Sequence, residues 1–77
     1  MKQVDELPPH VQYMTEERQE LHTRIEKATT FAGGPVYLQM SRYDRTLFDV
    51  QLATMNDYQR LLSKRIERAS VPVLQEA

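Results

Sequence analysis

Two heptad-spaced stripes, separated by the break Gly33-Gly34-Pro35, constrain this chain more than anything else in it. The first reads Val11, Met14, Arg18, Leu21, Ile25, Ala28 and Ala32. The second reads Phe48, Leu52, Met55, Gln59, Leu62, Ile66 and Ala69. Steps of three and four residues gather each set on one face of an α-helix, the pattern of helices packed side by side. A glycine pair followed by proline stops the first helix, and the chain folds back. Position numbers of facing residues then sum to a near constant. Ala28 faces Phe48, Ile25 faces Leu52, Leu21 faces Met55, Met14 faces Leu62 and Val11 faces Ile66. Arg18 faces Gln59, so the polar position of each stripe falls in one layer, a device that disfavours slipped registers. The expected fold is all-α, an antiparallel two-helix hairpin with helices near 9–32 and 42–69 and a short helical turn at 35–40.

Local signals agree with these bounds. Pro8-Pro9 suits a helix opening, where the missing N–H costs nothing. Gly33-Gly34 supplies a left-handed C-terminal cap. Ser41, three residues before Asp44, resembles a capping box with Asp in place of Glu. Ser70-Val71-Pro72 ends the second helix, because a residue before proline is biased out of the helical region. The layout is a flexible tail at 1–8, a hairpin domain at 9–69 and a second flexible tail at 70–77.

A chain of 77 residues with no cysteine has neither disulfides nor thiolate zinc sites, and its single core is thin. There is no signal-peptide pattern and no stretch long enough to span a membrane. Net charge is −1, which argues against wrapping nucleic acid on a basic surface. The first arm holds the acids Asp5, Glu6, Glu16, Glu17, Glu20 and Glu26, and the second the bases Arg42, Arg45, Arg60, Lys64, Arg65 and Arg68. This asymmetry favours antiparallel pairing, more as a selector of orientation than as a source of stability.

Catalytic, cofactor and metal sites are not expected. His10 and His22, twelve residues apart, lack the spacing of a ligand pair and read as surface histidines. Gly33-Gly34 lacks the lysine and hydroxyl of a phosphate loop. The segment Tyr37–Arg45 is the most suggestive stretch. It interleaves Tyr37 and Tyr43 with Arg42 and Arg45, residue types that carry interface energy and also stack on bases and grip phosphates. The bland alternative packs Tyr43 on the first helix and leaves the arginines in solvent. Beside its main stripe the second helix carries surplus apolar residues, Tyr43, Leu47, Val50, Tyr58 and Leu61. Three readings stay open for them: cover by the turn at 35–40, self-association into a four-helix bundle, or a partner-binding face.

The run Val11-Gln12-Tyr13-Met14, Glu17, Glu20-Leu21, Arg24-Ile25, Lys27 and Phe31, followed by Gln51-Leu52, Met55, Tyr58, Leu61-Leu62 and Arg65-Ile66, resembles a widespread family of tiny tailed-phage proteins, the crAss-phage-related small proteins. The resemblance spans about residues 10–68 and implies a helical hairpin working in the host bacterial cytoplasm. In length and character the chain is also similar to small phage transcription regulators that bind host RNA polymerase, displace the sigma factor and act in antitermination. That likeness implies a non-enzymatic regulator contacting the polymerase large subunits, without direct nucleic-acid or membrane binding. Surface chemistry then makes Tyr37, Met40, Arg42, Tyr43, Arg45, Leu47 and Val50 the contact candidates. The chain also resembles anti-CBASS sponges, small helical phage proteins that sequester cyclic-nucleotide immune signals in pockets built by oligomerisation. Tyr37, Arg42, Tyr43 and Arg45 are suitable residue types for such a pocket, while the negative net charge counts against it. A virion assembly adaptor is a third class that nothing in the sequence excludes.

Overall fold

The structure, a computed structural model, describes residues 8–70. Three helices follow in order: α1 (Pro9–Phe31), α2 (Pro35–Gln39) and α3 (Arg42–Ser70). The described residues contain no strand. α1 and α3 pack against each other as an all-α hairpin. The expected helix bounds hold to within a residue. Of the expected tails, residues 1–7 and 71–77 lie outside the described residues.

Each helix boundary has a local cause. Pro8 precedes α1 in extended backbone, and its carbonyl accepts from the Val11 and Gln12 amides at 2.9 and 3.1 Å. At the far end Gly33 takes φ +85°, a conformation that costs a residue with a Cβ, and the chain leaves the helix there. Gly34 donates to the Phe31 carbonyl at 3.0 Å, and Pro35 opens α2. The Asp44 amide donates to Ser41 Oγ at 3.0 Å, the N-terminal cap expected for α3.

The core is a single line. Val11, Met14, Leu21, Ile25 and Leu62 are buried, with Leu52, Met55 and Ile66 packed against them. Val11 and Leu62 are 0 % exposed. An aromatic group closes the hairpin beside the turn. The Phe48 ring lies 5.2 Å from Phe31 and 5.8 Å from Tyr37, the latter edge-on. The molecule measures 52 × 26 × 16 Å. A thickness of 16 Å leaves room for one layer of helices, so both long helices keep an uncovered flank.

The shared polar layer does not form as expected. Arg18 Nη1 instead donates to Ser63 Oγ at 3.4 Å, and Gln59 Nε2 meets His22 Nδ1 at 3.3 Å. Side chains lean toward the N-terminus of their own helix. In an antiparallel pair that lean carries Arg18 toward the C-terminal part of α3 and Gln59 toward the C-terminal part of α1. The two heads part by one turn in opposite directions, and each finds a different partner.

The charge asymmetry of the arms produces no ion pair between the helices among the described residues. The His22–Glu26 contact at 3.3 Å lies within α1, and the ion pairs Arg60–Asp57 and Lys64–Glu67, the latter at 3.3 Å, lie within α3. The polar bonds that cross the seam are instead Arg18–Ser63, His22–Gln59 and Tyr58–Glu17.

Candidate functional site

The crossing bonds divide the hairpin into two faces. Glu17 and Arg18 are neighbours, as are Tyr58 and Gln59, and a helix turns roughly 100° per residue. The Tyr58–Glu17 bond therefore lies on one side of the seam, and the Arg18–Ser63 and His22–Gln59 bonds on the other.

On the Arg18 side, α3 forms a groove of about 490 Å³ lined by Asn56, Gln59, Arg60, Ser63, Lys64 and Glu67. All six lining residues belong to α3, so this is an open surface along one helix. The lining offers two cations, two amides, a hydroxyl and one carboxylate, that of Glu67. Arg60 and Lys64 are tied only to the exposed carboxylates Asp57 and Glu67. Such surface pairs are worth at most about 1 kcal/mol, so an incoming anion could replace them at little cost. The Asn56 amide nitrogen is already committed to the Leu52 carbonyl at 3.0 Å, which leaves its oxygen free to accept.

The Tyr37–Arg45 segment does not form one cluster. Tyr37 donates to both carboxylate oxygens of Asp49, at 2.8 and 3.0 Å, and its ring packs on Phe48. Asp49 holds the Tyr37 hydroxyl above its usual pKa, chiefly by that hydrogen bond, while Arg45 pulls it the other way. Arg45 is half-buried, and its Nε has no hydrogen-bond partner within the protein. Arg42 is exposed beside it, and Met40 is half-buried at the end of α2. Tyr43, Leu47 and Val50 point elsewhere. They are 71 %, 51 % and 58 % exposed and share a stripe roughly 200° round α3 from Asp49 at the level of Leu47. Of the proposed contact residues, Tyr37, Arg42 and Arg45 thus belong to the closed end of the hairpin. Tyr43, Leu47 and Val50 belong to the opposite flank.

This placement removes one of the three readings of the surplus apolar residues. α2 does not cover them, because Tyr37 fastens it to the Asp49 flank and its own Val36 and Leu38 stay exposed. Nor does Tyr43 pack on α1. The polar groove is the feature that sequence reasoning passed over. Its signal was present in the spacing of Asn56, Arg60, Ser63 and Glu67, but the bases there were already explained by the dipole at the end of α3.

Among the described residues, no three His, Cys, Asp or Glu side chains converge into a metal-holding group. No helix there is long and apolar enough to cross a membrane. Residues 8–68, both long helices almost in full, match the sequence model of the Sequestin family. The chain belongs to the Sequestin family. No curated protein and no solved structure matches it. The match spans the Val11–Ile66 run that carried the likeness to small helical phage proteins. Among the described residues, cationic side chains gather in the groove, at the closed end, and at the open end where Arg65 and Arg68 line a surface with His10.

Proposed function

We propose that this protein is a non-enzymatic sequestering protein that binds a small phosphate-bearing ligand of the cyclic-nucleotide class. Membership of the Sequestin family, whose name denotes sequestration, carries this reading. The groove between Asn56 and Glu67 is the receiving surface. Arg60 and Lys64 meet phosphate charge, Gln59 and Ser63 meet polar edges of a base or ribose, and Arg18 reaches the same rim through Ser63. Sequestration asks only for affinity and abundance. A site with exposed cations and no oriented nucleophile or general base fits that demand. In a phage setting the ligand would be an infection signal of the host.

Equilibrium dialysis against a panel of cyclic mono-, di- and trinucleotides tests the reading. Near-stoichiometric retention of one member, released chemically unchanged by heating, is expected. Arg60→Ala with Lys64→Ala should abolish retention and leave the helical circular dichroism intact. If no nucleotide is retained and host RNA polymerase subunits co-purify instead, the reading is wrong. The polymerase reading rests on length and character alone, and no feature of the hairpin adds to it. The virion adaptor stands likewise without a structural argument.

A further inference from the structure

The outer flank of α3 carries a second stripe with heptad-like spacing: Tyr43, Leu47, Val50, Thr54, Tyr58 and Leu61. It lies roughly 100–120° round the helix from the seam with α1, the angle at which a further helix can pack beside the first pair. The large side chains on it are 40 % to 71 % exposed. By their exposures and ordinary side-chain areas they leave roughly 500 Å² of apolar surface uncovered on each copy, the upper end of what monomers show.

We propose that this stripe pairs with the same stripe of a second copy of the chain, with the two α3 helices antiparallel about a twofold axis at Thr54. The sequence is self-complementary in that register, where facing positions sum to a constant. Leu47 meets Leu61 of the other copy, Val50 meets Tyr58, and Tyr43 lies over Arg65, a cation–π pair. Thr54, the small residue on the axis, already spends its hydroxyl on the Val50 carbonyl at 2.9 Å and turns only a methyl to its mate. Tyr58 likewise sends its hydroxyl to Glu17, so its ring can be covered dry. The parallel alternative would set Arg65 against Arg65 and Arg68 against Arg68, and is disfavoured by like charge. With rim residues added, the contact approaches the ~800 Å² per partner of a standard interface. The thin single-line core gives the pairing a reason, since the dimer adds a second apolar seam to a chain of marginal size. The polar groove faces away from this contact, so pairing and ligand retention have separate readouts.

Sedimentation of the full chain across concentration should show a monomer–dimer equilibrium. Leu47→Glu should weaken it by roughly ten- to a hundredfold or more, the value of one buried leucine, without loss of helical circular dichroism. Because the chain has no cysteine of its own, crosslinking reads the register directly. Thr54→Cys should oxidise to a covalent dimer, whereas Tyr43→Cys alone should not. A chain that sediments as a monomer at every concentration overturns the proposal. So does a dimer unaffected by Leu47→Glu, or efficient crosslinking of Tyr43→Cys with none at Thr54→Cys.

Discussion

The Tyr58 hydroxyl of α3 donates to the Glu17 carboxylate of α1, joining residues 41 positions apart across the seam. That bond raises the Tyr58 pKa above 10.0, with smaller contributions from desolvation and from the Glu17 charge. The same holds for Tyr37 and Asp49 at the closed end. A group whose folded pKa lies above its unfolded value adds stability that is fully present below the unfolded value and is lost as pH rises through the folded one. On account of these two groups, thermal stability should fall from about pH 10 upward. Tyr58→Phe should remove part of that alkaline loss. Phenolate absorbance followed against pH checks the assignment, and a Tyr58→Phe variant with an unchanged alkaline limb would disprove it.

Leu62 is the buried residue that α3 contributes to the core, and it is 0 % exposed. Leu62→Ala should cost about 2–5 kcal/mol in urea unfolding, enough to unfold a domain of this size at ordinary temperature.

Arg18 and Gln59 illustrate what spacing can and cannot say. Their positions on the two seams were legible, as were both helices, because periodicity fixes which face of a helix turns inward. Their partners were not legible, because spacing fixes no side-chain lean, and lean separates the two heads by a turn each way. Double-mutant cycles should accordingly find coupling of about 0.5 kcal/mol for Arg18 with Ser63, similar coupling for His22 with Gln59, and none for Arg18 with Gln59. Coupling confined to the last pair would contradict the geometry.

The groove of Asn56, Arg60, Ser63 and Lys64 was passed over for a different reason. Its lining residues all lie on one face of α3, so the spacing was visible, but the bases among them already had a sufficient explanation in the helix dipole. The turn, by contrast, was written in its residues. Gly33→Ala should destabilise the hairpin by about 1 kcal/mol because of the positive φ at that position. Ser41→Ala should cost about 1 kcal/mol through the lost cap on Asp44. Both are measurable by chemical denaturation, and a stabilised Gly33→Ala would show that the left-handed turn is not kept in solution.

The aromatic closure beside the turn has a kinetic meaning. Phe31 and Phe48 are separated by only seventeen residues of chain and meet next to the reversal that joins the helices. Loop-closure entropy is least there and grows toward the open end, where Val11 and Leu62, fifty-one residues apart, belong to the same buried cluster. Contacts of rising sequence separation, laid down in order from the closed end, describe a zipper. The chain should fold fast for its stability, with Phe48 formed early in the transition state and Val11 late.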